Sequence, residues 1–67
     1  MCQAAVFMVQ DGQQREIMRD VTHLSVVEGG VQLETFFEEP RFVPGRIVSI
    51  DLLKHIVKLV PLKNEGE

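Results

Sequence analysis

The sequence predicts an all-β domain, a small barrel of about six short antiparallel strands, and three observations carry that prediction. Val and Ile are crowded into short runs. Turn signals containing Gly or Pro break those runs at intervals of about 8 to 12 residues. One run alternates apolar and polar side chains, as a half-buried strand does.

Taken in order, Ala4 to Val9 is apolar throughout, and Asp11-Gly12 behind it is a hairpin signal. Gln13 to Ile17 then resumes as a short polar strand. Val21 to Val27 is the next β-branched run and stops at Glu28-Gly29-Gly30, where two glycines permit the positive φ of a tight reversal. Val31-Gln32-Leu33-Glu34-Thr35-Phe36 supplies the alternation. Glu38-Glu39-Pro40 and Pro44-Gly45 bracket a short Arg41 to Val43 segment, because proline cannot donate to a ladder and belongs at edges and turns. Arg46 to Ile50 and Ile56 to Val60 form the last pair around a turn at Asp51 to His55. Helical spacing is present too, in Ile17, Val21 and Leu24 and again in Ile50, Leu53, Ile56, Val57 and Val60. The Val and Ile density and the regular turns outweigh it, leaving room for a single helical turn at Leu52-Leu53-Lys54. Residues 1–62 are expected to form one domain and residues 63–67 a frayed polar tail.

With 67 residues the chain lies near the lower limit of independent stability, where disulfides, metals or partner subunits commonly assist. A single cysteine excludes an intrachain disulfide and, with no secretory signal, implies a reducing cytoplasmic setting. No apolar run approaches the roughly 20 residues of a membrane-spanning helix. The net charge of −3 opposes a phosphate backbone. Arg15, Arg19, Arg41, Arg46, Lys54, Lys58 and Lys63 are scattered among acids, and there is no Trp or Tyr to stack on a base.

Cys2 is the residue with most chemistry. The Met1 amine and the Cys2 amide nitrogen close one five-membered chelate ring on a metal, and the same nitrogen with the Cys2 thiolate closes a second. Nickel(II) and copper(II) favour such planar, nitrogen-rich sets. If Met1 is removed, the amine moves onto Cys2 and still chelates with its thiolate. A two-fold dimer could bring two Cys2 thiolates to one ion. The plain alternative is that Cys2 fills space at the start of a strand as a small hydrophobe. His23, expected in a strand, and His55, expected at a turn, are the other soft donors, but each reads first as an exposed or hydrogen-bonded imidazole and not as a ligand. Glu38, Glu39 and Asp51 read as solvated turn charge. No Ser-His-Asp set, carboxylate pair or phosphate loop suggests catalysis. Phe36 and Phe37 are adjacent, so in a strand they face opposite sides, placing one in the core and freeing the other for an interface.

The order of several segments resembles the CooT family of small nickel-binding proteins. These are Met1-Cys2, Glu16-Ile17-Met18 with Asp20-Val21, Glu28-Gly29-Gly30, Thr35-Phe36-Phe37-Glu38-Glu39, Pro44-Gly45, and Ile50-Asp51-Leu52-Leu53 followed by His55. The resemblance runs from Met1 to about Val60. It implies a homodimer of SH3-like or Sm-like barrels that binds Ni(II) through Cys2 with neighbouring backbone nitrogens. It also implies a role in supplying nickel to the maturation of carbon monoxide dehydrogenase, and leaves delivery, storage and sensing open. Sm-like barrels also bind RNA, and an exposed sheet edge can pair with a protein client. Nickel binding should depend on Cys2, RNA binding on salt, and client binding on the strand edges or the Phe face.

Overall fold

The computed structural model describes residues 3–62, so Met1, Cys2 and the tail 63–67 lie outside the described residues. Seven strands follow one another: β1 (Ala4–Gln10), β2 (Gln13–Val21), β3 (His23–Val27), β4 (Gly30–Glu34), β5 (Arg41–Val43), β6 (Gly45–Asp51) and β7 (Ile56–Pro61). They form a four-stranded sheet in the order β2-β1-β7-β6 and a three-stranded sheet in the order β3-β4-β5. No helix occurs among the described residues, and Leu52 to His55 is a plain turn. The Asp51 carboxylate accepts the Lys54 amide at 2.9 Å there and holds the reversal without a helical turn.

Three expectations change. There are seven strands and not about six, because the short Arg41–Val43 segment is itself a strand, and the run from Val21 to Val27 is cut at Thr22, which leaves Val21 at the end of β2. The polar strand after Asp11-Gly12 does not stop at Ile17 but continues to Val21. One pairing is parallel, since β7 returns beside β1 with Val6 opposite Val57 and Met8 opposite Leu59. The strands sort into two sheets whose ladders do not close into one barrel among the described residues. The sheets share corners instead. Thr22 donates its amide to the Glu34 carbonyl at 2.8 Å between β2 and β3, and Pro44 alone separates β5 from β6.

Strand β2 turns the first corner through two bulges. Ala4 faces Val21, Val6 faces Met18, and Phe7 faces Glu16, so β2 carries an extra residue in each interval. Asp20 lies in the left-handed region with φ 58°. Each extra residue bends and twists its strand, carrying β2 off the first sheet toward the second. Between the sheets sit Val6, Val21, Val31, Leu33, Val43, Val57 and Leu59, with Met8, Met18 and Ile47 packed against them.

Turn chemistry follows the residue types. Gln10 pairs with Gln13, and Asp11 and Gly12 both have positive φ, as a two-residue hairpin turn with matching twist requires. At the second glycine site only Gly29 has positive φ, and Gly30 serves a different purpose. A Cβ on Gly30 would run into the Val43 carbonyl and lie 2.9 Å from the Pro44 Cα. Gly30→Ala is therefore expected to cost about 1–3 kcal/mol through backbone displacement. Gly12→Ala, with nothing within 4 Å of its added Cβ, should cost only the roughly 1–2 kcal/mol of its backbone conformation. Urea midpoints of the two variants check this: a smaller loss at Gly30 would contradict the close approach.

Candidate metal centre

The chain enters the fold at β1, so Cys2 lies two positions before the first strand residue, Ala4. Ala4 packs inward opposite Val21, and the Ala5 amide donates to the His55 carbonyl at 2.9 Å. That bond ties the β6–β7 turn, where His55 has φ 60°, to the start of β1. On the other side, His23 opens β3 and borders a small apolar cleft of about 180 Å³ together with Ala4, Val21, Leu24 and Val57. The structure thus brings both histidines to the end of the fold at which β1 begins, each with an exposed side chain.

A larger open groove of about 450 Å³ also reaches this end. Gln3 lines it, with Asp20 of the bulge and Thr35, Phe36, Phe37 and Glu38 of the loop after β4. Phe36 and Phe37 correct the expectation that one of them is core. They are 64% and 96% exposed because β4 ends at Glu34 and both fall in the bend beyond it, with ring centroids 6.0 Å apart. Strand alternation does not apply there. Arg41, from β5, crosses between the sheets and donates to the Ile17 carbonyl at 3.1 Å, satisfying a bulge residue. Sequence reading missed this contact, since nothing local to Arg41 or Ile17 announces a bulge.

Glu16 and Arg19 form a two-point ion pair on the surface, with Arg19 Nη2 donating to Glu16 Oε1 at 3.1 Å. The hydrogen bonds from Arg19 hold the Glu16 carboxyl below its ordinary value. A lowered acid pKa contributes stability above the unfolded-state value and loses it as pH falls through the folded-state value. At this exposed position salt screens the contribution.

Among the described residues no three or more His, Cys, Asp and Glu side chains converge as a metal cage. A donor set drawn from the described residues alone therefore does not suit a structural metal, which needs a closed shell. Glu38, Glu39 and Asp51 are in or beside turns and do not gather at one point.

A family profile described as CO dehydrogenase accessory protein CooT matches residues 1–60. Comparison with curated proteins finds no match. Among solved structures, the chain is similar to a candidate CooT from Carboxydothermus hydrogenoformans at 24% identity. That match covers 92% of this chain and 100% of the other, with a TM-score of 0.83. It establishes the shared fold. No helix among the described residues is long and apolar enough to cross a membrane.

Proposed function

The chain belongs to the CooT family, that of the CO dehydrogenase accessory proteins, and on that premise we propose that it binds nickel(II) as cargo for the maturation of a nickel enzyme. Its role is accessory and not catalytic. The ion is held by the Cys2 thiolate and adjacent backbone nitrogens, including the Met1 amine where Met1 is retained. Two SH3-like copies in a cytoplasmic homodimer share one ion near the two-fold axis. The observation that carries this reading is the place of Cys2, two residues ahead of a strand whose start is fixed by the Ala5–His55 bond. Thiolate and deprotonated amide are strong planar donors of the kind nickel(II) prefers.

The test is a calorimetric nickel titration of the reduced wild type and Cys2→Ser. About one ion per two chains, lost in the variant, is the expected result. Undiminished binding by Cys2→Ser would move the site to the histidines. The exposed Phe36–Phe37 pair beside Arg19 and Arg41 favours single-stranded RNA as a second reading. Asp20 and Glu38 line the same groove and offset those two cations. RNA binding would be salt-sensitive and indifferent to Cys2.

A further inference from the structure

We propose that the free edge of β3 is a docking site for an extended segment of a partner protein. Its occupant is an added strand with apolar side chains on one face and a basic residue at the end that meets Glu28. The two sheets have four edges, and three of them carry the devices that keep edges from pairing. Strand β2 holds two bulges and the charged side chains of Arg15, Glu16 and Arg19. Strand β6 holds a bulge between Ile47 and Ser49, with Arg46 and Asp51 along it. Strand β5 is three residues long, begins with Arg41 and lies between Pro40 and Pro44. Strand β3 has none of these. His23–Val27 contains no Lys, Arg, Asp, Glu or Pro, and its five pairings with β4 run without a shift in register.

The hairpin fixes which backbone groups are free. Val27 and Gly30 flank a two-residue turn, and such a turn closes on a hydrogen-bonded pair. Antiparallel alternation then makes Ser25 and Gln32 the next bonded pair. The amides and carbonyls of Leu24 and Val26 therefore point away from β4, and no other described strand pairs with them. A row of donors and acceptors at this spacing matches the backbone of an added strand. The side chains of the same two residues lie opposite the buried Leu33 and Val31, on the core side of β3. Yet Val26 is 76% exposed, so the core side of this edge is uncovered there. Beside Leu24 opens the apolar cleft of about 180 Å³ shared with Ala4, Val6, Val21 and Val57. Alternate apolar side chains of the added strand pack on that side.

Charge selects the class of segment. The hairpin from His23 to Glu34 carries Glu28 at its turn and Glu34 across from His23, and it contains no Lys or Arg. Every Lys and Arg of the chain lies outside it. Phosphate is repelled from such an edge, whereas a base beside Glu28 is attracted. The inference makes no use of Cys2 or of nickel.

The test uses the full chain, reduced and free of metal, and a blocked peptide of alternating threonine and valine with lysine at both ends. Amide hydrogen exchange read by NMR should find Leu24 and Val26 unprotected in the free chain and slowed about tenfold or more at peptide saturation. Val26→Pro removes one edge donor and spares the β3–β4 ladder, since its amide faces away from β4. It should weaken peptide binding about tenfold or more while circular dichroism retains the β spectrum. If Val26→Pro does not fold, Val26→Lys replaces it, placing a charge on an exposed edge position, and should weaken binding likewise. Glu28→Lys should reverse the preference for the lysine-ended peptide over a glutamate-ended one. No binding by wild type, undiminished binding by the edge variants, an unchanged preference in Glu28→Lys, or free exchange of both amides at saturation overturns the proposal. Protection of both amides in the free chain overturns it too, because the edge would then be covered by a second copy or by the chain's own ends.

Discussion

Leu59→Ala is expected to lower the free energy of unfolding by about 3–5 kcal/mol. Leu59 is fully buried, sits on the central strand β7 opposite Met8 on one side and Ile47 on the other, and is among the largest fully enclosed side chains of the core. Truncation removes its transfer free energy and leaves a cavity that two hydrogen-bonded neighbours hold open. Domains of this length carry roughly 3–10 kcal/mol in all, at about 0.05–0.15 kcal/mol per residue, so the variant should lose a third or more of its stability. Urea unfolding at one fixed protein concentration measures the effect, because any self-association would make the midpoint concentration-dependent. The control is Val60→Ala, one residue along and facing outward, which should cost distinctly less in the single chain. A loss at Leu59 no larger than that at Val60 would show that the inward and outward faces of β7 are wrongly assigned.

The strands were readable where local chemistry decides them. Asp11-Gly12 gave the hairpin, and Pro40 and Pro44 bracketed β5 at its observed ends. The alternation of Val31, Gln32 and Leu33 gave β4 with its buried and half-buried faces. What the sequence could not give is set by pairing at a distance. That β7 lies parallel to β1 depends on the 45 residues between Gln10 and Ile56 returning to that side, which no window of a few residues contains. The bulges in β2 are likewise a property of two strands together. Without them the reading cut the strand at Ile17, where polar residues prevail, although the bent strand continues to Val21.

The candidate site shows the same division. Cys2 and the histidines were identifiable by type, and His23 in a strand and His55 in a turn are placed as read. The arrival of the two histidines at one end of the fold was not legible, since it comes from the Ala5–His55 bond and from the turn of β2 into β3. Phe36 and Phe37 failed for a physical reason as well. Period-two alternation assigns opposite faces only while the backbone stays extended, and here it bends after Glu34. Charge reading was coarser still. Glu16, Arg19, Arg46 and Asp51 look scattered along the chain, yet the register places them on the borders of one face.

Nickel affinity is expected to fall steeply as pH drops through neutrality, and Cys2→Ser should abolish the tight binding altogether. The proposed donors bind only after losing protons: the Cys2 thiol, with an ordinary pKa of about 8.5, and the Cys2 amide, which nickel itself displaces. Each proton released lowers the apparent affinity about tenfold per pH unit below the group's pKa, so two donors give about a hundred-fold per unit. A pair of histidine ligands would behave differently. A site at His23 and His55 would survive Cys2→Ser and be lost when both imidazoles are removed. Titrations of wild type at about pH 6, 7 and 8, repeated with Cys2→Ser and with His23→Ala combined with His55→Ala, separate the two. A steep slope that persists without the histidines and is absent without the thiol is the thiolate–amide site. Binding that survives Cys2→Ser and is lost in the double histidine variant would place the ion on the histidines and remove the chain start from the mechanism.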